Sequence, residues 1–114
     1  MQDLIAAVQR ALDETDAEYG QLPFFVRPMV RHGFVKRTGL DFARWRAVLS
    51  EVARGTIEPG LPAALAALGE HYRGAPERAR KGMGATAPQL AEVEARSRTR
   101  AEAVAALAAA ISAR

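Results

Sequence analysis

The side chains able to do chemistry in this chain are few, and most of them are basic. Arg27, Arg31, His32, Lys36 and Arg37 fall within eleven residues, and Arg44 and Arg46 follow closely. Such a run suits an oxyanion, a nucleic-acid backbone or an acidic partner, because a guanidinium meets carboxylate or phosphate through two parallel N–H donors. Residues 22–39 also carry three of the four phenylalanines, Phe24, Phe25 and Phe34, together with Pro23 and Pro28. Phe24, Phe25, Phe34, Trp45 and Tyr72 are the residues available to line an apolar ligand pocket, with Arg27 or His32 orienting an acidic group in it. A simpler use of the phenylalanines is as core, packed on Phe42, Trp45 and the first helix.

Catalytic machinery is sparse. Only two histidines occur, and neither His32 nor His71 sits in a metal-ligand spacing such as HExxH or an EF-hand loop. Glu70-His71 reads as a solvated polar pair on a helix. The absence of cysteine excludes disulfides, thiolate catalysis and cysteine-based metal sites. Ser50, Ser97 and Ser112 lie in helical patterns with no nucleophile elbow around them. The nine glycines form no phosphate-cradling motif. Arg78, Arg80 and Lys81 could attract an anion beside Gly82-Met83-Gly84, but that segment reads as a linker. A non-enzymatic protein without metal or cofactor is the expectation.

Charge is segregated along the chain. Residues 1–20 are net −4, with Asp13, Glu14, Asp16 and Glu18 crowded together, residues 21–54 are net +5, and the rest is net +2. A basic middle after an acidic leader implies either an anionic partner or an internal match between the two. The four acids sit at a helix C-terminus, where the dipole is already negative, so they require a cation nearby. Arg27, Arg31, Lys36 or Arg37 could supply it.

Six apolar patterns must position these residues. Leu4, Ile5, Val8 and Leu12 predict a first helix over residues 3–18, ended by Tyr19-Gly20. Pro28 predicts either a Pro23–Arg27 turn followed by a helix to about Lys36, or one kinked helix. Residues 41–54 form the clearest helix, with Trp45 as a core anchor and Gly55 as its stop. Residues 61–73 carry Leu61, Leu65, Leu68 and Tyr72 at helical spacing, and 76–81 suggest a short helical turn. Residues 87–112 form a long helix, opened by Thr86 and Gln89 at capping-box spacing. Its Ser97, Ala101, Val104, Ala108 and Ile111 alternate four and three apart, a seam of mostly small residues that would admit a second copy of the chain or another helix of this one.

Leu22-Pro23-Phe24-Phe25-Val26-Arg27, followed by Val30-Arg31, resembles the short C-terminal domain of the light-independent protochlorophyllide reductase B subunit. Lys36-Arg37-Thr38-Gly39 and the helix through Val48-Leu49 stand in similar places, so the likeness covers residues 22–49. Pro28 departs from that family's pattern, and the spacing to the turn is shorter by about one helical turn. The resemblance implies a related helix-turn-helix packing unit and hints at a tetrapyrrole or redox setting. The large catalytic body of that subunit has no counterpart here.

The expectation is an all-α, single-domain helical bundle over residues 1–114, with about five helices and a long C-terminal helix. No apolar run reaches the roughly 18 residues that cross a bilayer, and the N-terminal residues lack signal-peptide character, so a cytoplasmic protein is expected. The leading functional reading is a non-enzymatic interaction or regulatory domain that self-associates through the 97–111 seam, as a homodimer or with another protein partner. One alternative is nucleic-acid or anion binding through Arg27, Arg31, His32, Lys36, Arg37, Arg44 and Arg46. Another is an apolar, tetrapyrrole-like ligand held by the aromatic residues.

Overall fold

A computed structural model describes the backbone of all 114 residues and every side chain except that of Met83. Six helices follow one another: α1 (Gln2–Gly20), α2 (Arg27–Thr38), α3 (Phe42–Ala53), α4 (Leu61–Arg73), α5 (Ala75–Met83) and α6 (Ala87–Ser112). The expected helical bundle with a long last helix is the observed one. The short turn read near residue 78 is a nine-residue helix, α5, which accounts for the sixth element.

Local chemistry places most boundaries. Pro28 stands in the first turn of α2, where its missing N–H costs nothing, and a turn held by Val26 N–H to Pro23 O at 2.9 Å precedes it. α2 ends at Gly39, whose φ of 87° is open only to a residue without Cβ strain. Asp41 then caps α3 by accepting from the Arg44 N–H at 2.8 Å. The Thr86–Gln89 capping box opens α6 with both of its hydrogen bonds present.

The core lies where α4 and α6 pack along each other, with α1 packed against α6. Leu61, Leu65, Leu68 and Tyr72 of α4 meet Val104, Leu107 and Ile111 of α6 and Ile5, Val8 and Leu12 of α1 in one buried cluster. Each such side chain contributes about 1.5–3 kcal/mol on burial. A second aromatic layer joins α2 and α3 to α1: Phe34 stacks on Phe42 with centroids 4.2 Å apart, and Tyr19 meets both edge-on. Trp45 is fully buried and donates its indole N–H to Thr38 Oγ1 at 3.2 Å. Tyr72 brings its hydroxyl to Thr15 Oγ1 at 2.8 Å and to the Ala11 carbonyl at 3.2 Å, so α4 and α1 are joined by a satisfied buried network.

α6 sets the 42 Å long axis of the molecule, and the radius of gyration of 14.2 Å slightly exceeds the roughly 13 Å usual for this length. Its seam is not an exposed face. Ser97, Ala101, Val104 and Ile111 are buried and Ala108 is half-buried, all within this chain's own packing. The expected oligomerisation surface on these five residues is therefore corrected: their small size lets α1 and α4 come close to α6. Leu107 and Arg100, outside the seam as read, are buried with it.

Candidate functional site

The acidic end of α1 is answered from inside the molecule. Arg31 of α2 donates to Asp16 at 2.6 Å, and Arg46 of α3 reaches Asp13 at 3.0 Å and Asp16 at 2.7 Å. Arg100 of α6, 8% exposed, grips both oxygens of Glu18 and reaches Glu14 at 3.4 Å, while Arg96 lies 3.7 Å from Glu18. The hydrogen bond from Arg46, aided by Arg31, holds the Asp16 carboxyl below the usual carboxylate range against the opposing effect of burial. Of the four cations expected to do this, only Arg31 does. Arg46, Arg96 and Arg100 come from elements whose side of approach the sequence pattern does not specify.

The seven basic residues expected to form one binding stripe are consequently dispersed. Arg31 and Arg46 are engaged with α1. Arg27 folds back so that its Nε–H donates to the Leu22 carbonyl at 2.7 Å. His32 and Lys36 are exposed on the outer face of α2, and Arg44 is exposed on α3. Arg37 turns toward α4 and donates from Nε to His71 Nδ1 at 3.1 Å. Lys36, Arg37 and Arg44 do border an open groove of about 660 Å³ between α2, α3 and α4, but Glu51 and Glu58 border it too.

The five residues proposed to line an apolar pocket also separate. Phe34, Trp45 and Tyr72 are filled into the core, whereas Phe24 is 78% exposed and Phe25 72% exposed. None of the five lines the groove above or the smaller hollow of about 390 Å³ between α6 and the α4–α5 junction. The expected aromatic pocket, and the expectation that Phe24 and Phe25 are core, are both corrected. One physical reason serves for both: Pro23 and Pro28 bound a short turn that cannot bury residues 24 and 25 while α2 buries Phe34.

That turn forms the first feature of functional interest. Phe24 and Phe25 meet edge-to-face at 5.8 Å, and Met29, 69% exposed, follows on the first turn of α2. The backbone beneath them is held by the Val26 and Arg27 N–H groups donating to Pro23 O, and by the Arg27 side chain on Leu22 O. Three large apolar side chains are thus presented on a hydrogen-bonded support. Met29, His32 and Lys36 stand three and four apart on α2, so a basic edge continues from this knob along one helix face.

A second feature lies on the opposite side of α2. His71 is not the solvated residue the Glu70-His71 pair suggested: it is 3% exposed, with Phe34 edge-on at 4.9 Å. Two guanidiniums converge on it. Besides the Arg37 bond, Arg78 of α5 donates from Nη2 to the His71 carbonyl at 2.6 Å and lies 3.4 Å from Nδ1. With Nδ1 accepting, the ring is neutral and its proton sits on Nε2. Burial first, then the charges of Arg78 and Arg37, push the His71 pKa down to about 3. Burial and Arg37 likewise hold Arg78 below its ordinary value. Tyr19 lies in the field of both cations, which oppose the upward push of burial on its phenol. Among the described residues no carboxylate pairs with Arg37 or Arg78.

The sequence carried a signal for this cluster that patterning by polarity misses. His71 lies three residues after Leu68, on the edge of the apolar stripe of α4. Gly33 and Gly74 each precede an arginine by four, and helical side chains lean back over the preceding turn. A Cβ at Gly33 would stand 3.1 Å from Arg37 Nη1, and one at Gly74 would stand 2.9 Å from Arg78 Nη1. The glycines leave the room in which both guanidiniums lie.

Among the described residues there is no group of three or more His, Asp or Glu able to hold a metal ion, and no helix long and apolar enough to cross a membrane. No protein-family model, no curated protein and no solved structure matches the chain.

Proposed function

We propose that this chain is a non-enzymatic helical interaction domain that docks a partner protein through Phe24, Phe25 and Met29. The observation that carries this reading is the exposure of these three large apolar residues on a turn whose backbone is already held by hydrogen bonds. Exposed aromatic and methionine side chains are the usual anchors of protein contacts, and an ordered support lowers the entropy lost on binding. Arg27 and His32 border the knob and Lys36 continues the same helix face; among the described residues none of the three is paired with a carboxylate. The complementary surface is an apolar groove rimmed by acidic side chains. A two-fold contact between copies would instead bring like basic edges together, so a different protein is the partner favoured by charge.

Replacing Phe24 with a photo-crosslinking phenylalanine tests the reading. One discrete adduct with another protein is expected, and Phe25→Ser combined with Met29→Ser should remove it without altering the thermal melt. An adduct of twice the chain's mass would make the knob a self-association site. Crosslinking to lipid vesicles alone, or adducts that survive the double change, would overturn the docking reading.

A further inference from the structure

We propose that Arg37 and Arg78, converging on His71 beside Tyr19, form a binding site for the phosphate group of a phosphate monoester. The site lies apart from the Phe24–Met29 knob and does not depend on its role.

Charge without a counter-charge is the first ground. Seven other arginines of the chain are in ion pairs with aspartate or glutamate: Arg31, Arg46, Arg54, Arg73, Arg80, Arg96 and Arg100. Arg37 and Arg78 come from different helices to one imidazole, repel each other, and have no carboxylate beside them among the described residues. Two like charges held together in a partly desolvated place are costly, and an anion between them relieves both the repulsion and the desolvation.

Preparation of the donors is the second ground. His71 Nδ1 and the His71 carbonyl orient the two side chains, while Gly33 and Gly74 provide the space for their ends. Beyond these contacts the Tyr19 hydroxyl is the one further acceptor near Arg37, and no hydrogen bond from Arg78 Nη1 is found among the described residues. Arg37 is exposed and Arg78 half-buried, so a ligand can reach them. The dianionic form of a phosphate monoester matches the two positive charges, and its oxygens suit the guanidinium fork; a single carboxylate would leave one charge unmet.

Titration of the ¹⁵N-labelled protein with inorganic phosphate, against acetate at equal ionic strength, tests the assignment. Saturable shifts of the Arg37 and Arg78 Nε–H and of the His71 ring are expected with phosphate alone. Arg78→Gln should weaken phosphate binding by about tenfold or more, the scale of one charge-assisted hydrogen bond. Gly74→Ala keeps every charge, is compatible with the Gly74 φ of −83° and displaces the Arg78 guanidinium, so it should weaken binding as well while the circular dichroism stays unchanged. Equal shifts with acetate, shifts that never saturate, or affinity unchanged in both variants would overturn the proposal.

Discussion

Two arginine clusters flank the C-terminal half of α1, and they use the same side chain in opposite ways. In the first, Arg31 and Arg46 meet Asp13 and Asp16 while Arg96 and Arg100 meet Glu14 and Glu18 on another face of the helix, bringing α2, α3 and α6 onto α1. In the second, Arg37 and Arg78 meet a neutral histidine and no acid among the described residues. The matched cluster is a clamp. The unmatched one holds charge in reserve, and its geometry is maintained by neutral acceptors and by glycines. The contrast teaches that a basic residue is informative about binding only once its internal partners are known.

The sharpest way to break this comparison is to remove a member of the clamp. Arg100→Ala should cost about 2–3 kcal/mol in urea unfolding, because it takes a buried side chain out of the α1–α6 contact, leaves Glu14 unmatched and leaves Glu18 only the longer contact with Arg96. A loss under 1 kcal/mol, on the scale of an exposed ion pair, would remove Arg100 from the clamp.

Acid should next expose the unmatched cluster. The His71 pKa lies near 3 in the folded chain, below its ordinary 6.5, so between those values the unfolded chain takes up a proton that the folded one refuses. Its contribution is complete above pH 6.5 and falls as pH is lowered, by up to about 1.4 kcal/mol per unit. From pH 6.5 to 5 this amounts to about 2 kcal/mol. Asp16, also lowered, adds its own loss only near and below its ordinary 3.8. Unfolding curves at several pH values should show the slope, and His71→Gln should flatten it; a slope unchanged by that substitution would place the acid sensitivity elsewhere.

Asp16→Asn is a gentler probe of the clamp, since its arginines are partly solvated. It should cost about 1 kcal/mol, and less at high salt. Smallest of all, Arg37→Gln should change stability by less than about 0.5 kcal/mol, because loss of one hydrogen bond is offset by relief of repulsion with Arg78. If its thermal melt falls as far as that of Asp16→Asn, Arg37 belongs to the clamp and the distinction fails.

How far the sequence reached varies with the range of the interaction. The Thr86–Gln89 box and the stop at Gly55 were legible, and the turn before Pro28 was one of the two arrangements read, because each depends on backbone geometry within a few residues. Trp45 as a core anchor was legible from the apolar stripe of α3. Phe24 and Phe25 were misread because hydrophobicity says that a side chain prefers burial, and two closely spaced prolines decide that these cannot have it. His71 was misread for the converse reason: its neighbour Glu70 is exposed, yet the next position around the helix faces Phe34. The 97–111 seam had the right residues and the wrong partner.

By itself the sequence determined an all-helical chain, the approximate span of its longer helices, and that its acidic and basic segments would need each other or a partner. Those properties follow from hydrogen bonds and propensities acting over one or two turns. Tertiary structure alone decided which arginines are consumed by α1 and which are left over. Charge pairing across helices depends on the side from which each helix approaches, and that side is set by the packing of the whole core around Tyr72, Leu107 and Trp45.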